Sequence, residues 1–131
     1  MLPLLTQTNS MFGLFGKISK RPDFWVDLTS ISELDVVAKD SFNQPVVLFK
    51  HSTTCSISAM AKARLESNTD EQSPKIYYLD LLSYRDVSNE IASKFKVRHE
   101  SPQVLLLKDG TVHYHASHGG INMNELVMNA K

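Results

Sequence analysis

The feature that most limits what this chain can fold into is a short apolar run that hands over directly to a helix-patterned stretch. Pro45-Val-Val-Leu-Phe-Lys50 is β-branched at its centre and reads as a buried strand. Ser56 to Asn68 is rich in Ala, Met, Leu, Lys and Arg, all good helix formers. Ile57, Ala61 and Leu65 recur at four-residue spacing and predict one stripe of a helix lying on a sheet. With a strand predicted on either side of that helix, the segment reads as part of an open α/β sheet. Such sheets tend to place their sites at the carboxyl ends of the strands. The eight residues His51-Ser-Thr-Thr-Cys55-Ser-Ile-Ser58 occupy that place here.

Cys55 is the only cysteine in the chain. A lone cysteine is most often a small buried apolar residue. Its neighbours Thr53, Thr54, Ser56 and Ser58 are hydroxylic, however, and a helix start leaves the sulfur partly open. Unpaired amides and the positive end of the helix dipole favour a negative charge there, and the thiolate is the reactive form of cysteine. These features predict a reactive thiol. Ser58 lies three residues on, so its hydroxyl is expected to face the sulfur across the first helical turn. A Cys-x-x-Cys pair would carry its second thiol at that position. Cys55 therefore cannot close a disulfide within this chain, and any disulfide it forms joins another molecule.

The remaining elements follow in order. Phe24 to Leu28 can form a first strand, and Ser30 with Glu33 makes a capping-box pattern before a helix with Leu34, Val37, Ala38 and Phe42 on its apolar face. Asn43-Gln-Pro45 ends that helix. Lys75-Ile-Tyr-Tyr-Leu-Asp80 reads as a third strand. A helix beginning at Ser83 or a neighbour carries Val87, Ile91 and Phe95. His99-Glu-Ser-Pro102 is an extended link into a fourth strand, Val104–Lys108. Asp109-Gly110 is a strong hairpin signal, with Thr111–His115 as the antiparallel partner. His118-Gly-Gly120 turns the chain, and Asn122 with Glu125 caps a last helix carrying Leu126 and Val127. The order is βαβαβα, a β-hairpin, then α.

A chain of 131 residues suits one domain. Residues 1–22 read as a flexible N-terminal extension, with Met11 as a candidate second start, and residues 23–131 as the folded domain. Fourteen basic residues balance fourteen acidic ones, without the basic surplus of a nucleic-acid binder. No apolar stretch approaches the ~20 residues that cross a membrane. One cysteine fits a reducing compartment, with the cytoplasm as the default. His113, His115 and His118 match no strong zinc pattern, so no metal is expected.

This order, with a cysteine at the start of the second helix and Ser101-Pro102 just before the hairpin, resembles the thioredoxin fold. The resemblance implies a central mixed five-stranded sheet flanked by about four helices. It also implies a cis proline at 102 lying against the cysteine. The Ser101 backbone would then offer hydrogen bonds to an extended substrate.

Phe49-Lys-His-Ser-Thr-Thr-Cys55-Ser-Ile-Ser58, Tyr78-Leu-Asp-Leu81, Ser101-Pro-Gln-Val104, Lys108-Asp-Gly110 and Ser117-His-Gly-Gly120 together resemble the YtxJ-type monothiol bacilliredoxins. That likeness spans about Trp25 to the C-terminus. The family's usual motif is Thr-Cys-Pro-Ile-Ser, and residue 56 here is serine. The implied activity is removal of bacillithiol from mixed disulfides of S-thiolated client proteins, with Cys55 as nucleophile and Ser58 assisting. Thr54, Ser56, Ser101, Pro102, Gly119 and Gly120 are the expected substrate-binding residues. A second low-molecular-weight thiol would serve as cosubstrate, with no tightly bound cofactor. The alternatives are an iron–sulfur carrier like the monothiol glutaredoxins, whose Cys-Gly-Phe-Ser signature is absent, and a redox-inactive thioredoxin-like binding module.

Overall fold

The structure is a computed structural model that describes residues 25–131. The N-terminal extension and Phe24 lie outside the described residues, as does Met11. Among the described residues five strands form one sheet: β1 (Val26–Asp27), β2 (Val46–His51), β3 (Lys75–Asp80), β4 (Gln103–Lys108) and β5 (Thr111–Ser117). Four α-helices accompany them among the same residues: α1 (Glu33–Asp40), α2 (Ser56–Ser67), α3 (Arg85–Phe95) and α4 (Met123–Ala130). A 3-10 turn, His118–Gly120, precedes α4. The strand order is β1-β3-β2-β4-β5. β3 runs parallel to both β1 and β2, whereas β4 is antiparallel to β2 and to β5. This is the thioredoxin-like mixed sheet that the resemblance implied.

Every side chain of β2 is buried, as expected of a central strand covered on both faces. Alternation along the strand divides them. Val46 and Leu48 join Leu34, Val37, Val87, Ile91, Leu105 and Leu107 beneath α1 and α3. Val47 and Phe49 join Trp25, Ala61, Leu65, Ile76, Tyr78, Leu106 and Leu126 beneath α2 and α4. Lys50 therefore faces the α1/α3 side and His51 the α2/α4 side. β2 includes His51, one residue beyond the expected strand, and β5 continues to Ser117 because the hairpin pairing runs on to Gln103.

Three helix expectations need correction. Ile57 is half exposed, and the buried stripe of α2 is Ser58, Ala61 and Leu65. With 3.6 residues per turn, the face through Ala61 and Leu65 reaches back to 58 as readily as to 57. Here the polar residue takes the inside place. Phe42 lies beyond the end of α1 and is exposed, so it forms no part of that helix's apolar face. The capping box forms only by half. Glu33 Oε1 accepts from the Thr29 and Ser30 amides, at 2.8 and 3.3 Å, while Ser30 Oγ bonds Ser32 Oγ and the helix begins three residues after Ser30. At α4 the other half of the box forms, with Asn122 Oδ1 accepting from Glu125 N at 2.9 Å.

The hairpin turn is Asp109-Gly110, with φ of 52° and 80°, as a two-residue primed turn requires. A Cβ on Gly110 would lie 3.0 Å from the Phe42 ring, which sits over the turn. Its amide donates to Ser41 Oγ at 2.8 Å, tying the turn to the end of α1. Gly110→Ala should lower stability by about 1–2 kcal/mol, through the left-handed backbone and the displaced ring. Urea unfolding at neutral pH measures it, and an unchanged midpoint would contradict the account.

Candidate functional site

Cys55 is the N-cap of α2, with an extended backbone (φ −108°, ψ 124°) that turns the chain from strand into helix. Its amide donates to Ser52 O at 3.2 Å, and its carbonyl accepts from Ala59 N at 3.0 Å as the helix starts. The side chain caps nothing and is partly exposed. The sulfur fills no core position and satisfies no backbone amide at the helix start.

Three separate segments meet at this end of the sheet. The β2–β4 ladder pairs Lys50 with Gln103, which sets Pro102 opposite His51, at the strand end that leads to Cys55. The Ser101–Pro102 bond is cis, and Pro102 is buried. Pro102 O accepts from His118 N at 3.1 Å, bringing the turn that carries Gly119 and Gly120 alongside. Arg64 on α2 holds the far side of that turn, donating to His118 O at 3.2 Å and to Ile121 O at 3.1 and 3.2 Å. Thr54 and Ser56 flank the sulfur and are exposed, as are Gly119 and Gly120. A Cβ on Gly119 would meet nothing within 4 Å, and neither glycine has a positive φ. The fold itself makes no demand for glycine at either position.

Ser58 is placed differently from the expectation that its hydroxyl faces the sulfur. It is fully buried, accepts from Ser52 N at 3.0 Å and lies 2.7 Å from His51 Nδ1. Among the described residues no hydrogen bond joins it to Cys55. Its proton can reach the sulfur only when His51 carries its own proton on Nδ1 and donates to Ser58. The helix stripe explains the inward turn, since position 58 is on the sheet-facing side. His51 is buried against Phe49 and Tyr78, with ring centroids 5.9 and 5.7 Å away. Burial lowers its pKa, and Lys62 lowers it further, so the ring is neutral at pH 7. A neutral buried ring lends no positive charge to a thiolate.

Two features escaped sequence reasoning. Lys50, read simply as the end of a strand, is completely buried, with its Nζ 2.8 Å from His99 Nδ1. Ser101 Oγ is buried with no hydrogen-bond partner among the described residues, a polar atom left over beside the cis bond. Period-two alternation gave a signal for Lys50, because it shares a face with Val46 and Leu48. Among the described residues no group of three or more His, Cys, Asp or Glu side chains could hold a metal ion, and no helix is long and apolar enough to cross a membrane.

A family model described as monothiol bacilliredoxin BrxC matches residues 26–126. A solved structure described as a candidate oxidoreductase with a thioredoxin fold is 34% identical, with a TM-score of 0.74 over 83% of this chain and 96% of that one. Thioredoxin from Fasciola hepatica superposes with a TM-score of 0.63 at 16% identity, covering 81% of this chain and 99% of that one. A mutant thioredoxin from Halobacterium salinarum NRC-1 gives 0.59 at 20% identity, covering 86% and 96%. At such identities the two thioredoxins speak for the fold alone.

Proposed function

The chain belongs to the monothiol bacilliredoxin family, and on that premise we propose that Cys55 removes bacillithiol from protein mixed disulfides by thiol–disulfide exchange. The single observation that carries the assignment of the nucleophile is the placement of the only cysteine, partly exposed and with no capping bond from its side chain, at the start of α2. A monothiol oxidoreductase with one cysteine needs an external thiol to resolve its intermediate, and the chemistry balances as follows. The Cys55 thiolate attacks the bacillithiol sulfur of the client's mixed disulfide. The client's thiolate leaves and takes up a proton, and Cys55 is left disulfide-bonded to bacillithiol. A second bacillithiol, as thiolate, attacks the bacillithiol sulfur of that adduct. Bacillithiol disulfide departs and the Cys55 thiolate returns. The client is reduced, and two bacillithiols are oxidised to one disulfide.

The surrounding residues take roles on the same reading. Ser101 and Pro102 seat the client's extended chain through the backbone beside the cis bond. Thr54 and Ser56 border the sulfur. Gly119 and Gly120, which the fold does not require to be glycine, keep the opposite rim bare for the small thiol. Ser58 acts by holding the Ser52–Cys55 loop through its buried bonds. Cytoplasmic work on S-thiolated clients fits a chain with one cysteine and no disulfide framework.

The test is intact-mass spectrometry of the purified protein after exposure to oxidised bacillithiol and, separately, to oxidised glutathione. The expected result is a single bacillithiol adduct on Cys55 that forms at least about tenfold faster than the glutathione adduct and is released by added bacillithiol. Equal rates would remove bacillithiol as the preferred partner. No adduct from either reagent would remove Cys55 as the nucleophile.

A further inference from the structure

Lys50 is a lysine without solvent. It is fully buried on β2, on the face shared with Val46 and Leu48, where an apolar side chain would fill the space at less cost. Its ammonium has only protons to give. At 2.8 Å, His99 Nδ1 must therefore accept, which makes His99 neutral with its own proton on Nε2. His99 is otherwise exposed and roofs the buried amine. It opens the link His99-Glu-Ser-Pro102, which carries the cis bond. The same link is tied by Gln103, Lys50's partner across the ladder. Gln103 Nε2 donates to Arg98 O at 3.0 Å, and its Oε1 accepts from Glu100 N at 3.4 Å. From above, Ser117 Oγ donates to Glu100.

We propose that Lys50 is a positioning residue for the client-binding link, holding His99–Pro102 from beneath and so setting where the Ser101–Pro102 backbone meets an incoming chain. The inference rests on the reading of Ser101 and Pro102 as the client's seat. Lys50 touches neither the client nor the sulfur. It acts through His99, whose ring it fixes in one tautomer and one orientation. The charged groups bearing on the pair are Glu100, which attracts the ammonium, and Arg85 at the start of α3; burial foremost, then Lys50 and Arg85, lowers the pKa of His99, with Glu100 opposing. Ser88 on α3, at 3.5 Å from His99 Nδ1, is a further polar side chain beside it.

The experiment compares two substrates and one reagent on the full chain. The substrates are an extended peptide bearing an S-thiolated cysteine and a small symmetric disulfide; the reagent is iodoacetamide. Lys50→Met should lower kcat/KM for the peptide about tenfold, through KM, and leave the small disulfide and the pH profile of alkylation as in the wild type. His99→Asn keeps an acceptor where Nδ1 stands and should retain most of the peptide activity, whereas His99→Leu should match Lys50→Met. If Lys50→Met does not fold, the His99 pair decides. A wild-type KM for the peptide in Lys50→Met and His99→Leu would overturn the proposal, and so would equal losses on both substrates. A wild-type protein with no preference for the peptide over the small disulfide would overturn the seat itself.

Discussion

Cys55→Ser should reduce client release to the uncatalysed background and leave the fold unchanged. Each step of the exchange forms or breaks a bond to this sulfur, and no second cysteine exists to take its place. A serine hydroxyl is essentially un-ionised at neutral pH and is a poor nucleophile toward a disulfide, so the loss is of the reaction itself. Stability should hold within about 0.5 kcal/mol, because the Cys55 side chain makes no capping bond and is partly exposed, and serine is a good N-cap residue. Client thiol release measured beside thermal unfolding separates the two claims. More than about a tenth of wild-type turnover in a folded Cys55→Ser protein would end the assignment.

The elements that were legible in the sequence were those whose pattern has one solution. The apolar run Pro45–Lys50 read as a buried strand, and Asp109-Gly110 as a hairpin turn, and both form. The cysteine's position followed from those two neighbours in the chain, a strand before it and a helix after it. The cis bond at Pro102 did not follow from the residues at all, since most X-Pro bonds are trans; it came from the family likeness. What stayed hidden depended on tertiary contact. The stripe of α2 was assigned through Ile57 on hydrophobicity, but the inside place went to Ser58, whose hydroxyl meets a buried histidine and a strand-end amide. No local rule prefers a serine there. It requires His51 to be part of β2, one residue further than propensity alone carried the strand. Lys50 was hidden for a related reason. A charged residue at a strand's end ordinarily reaches water, and only the long-range roof of His99 closes that route.

That closed route has a thermodynamic signature in the response of stability to pH. Burial lowers the Lys50 pKa from 10.5 to about 8, with Glu100 opposing. In the unfolded chain the same amine titrates near 10.5. Between about pH 8 and 10.5 the unfolded state therefore holds a proton that the folded state has released, and stability rises with pH across that window. At neutral pH both states are protonated, and the folded state bears the cost of a buried charge. The difference in pKa corresponds to about 3 kcal/mol. Lys50→Met removes this dependence and leaves Lys75 in place, whose bond to Asp40 raises its pKa. The stability of wild type relative to Lys50→Met should thus rise by about 2–3 kcal/mol from pH 7 to pH 10, read from denaturant midpoints at constant ionic strength. At pH 7 the variant should be the more stable protein even though it handles extended clients less well. A residue that weakens the fold while sharpening the reaction is expected of a group kept for position. Parallel pH curves for the two proteins would mean that the amine is solvated in the folded state, and the roof formed by His99 would then be open.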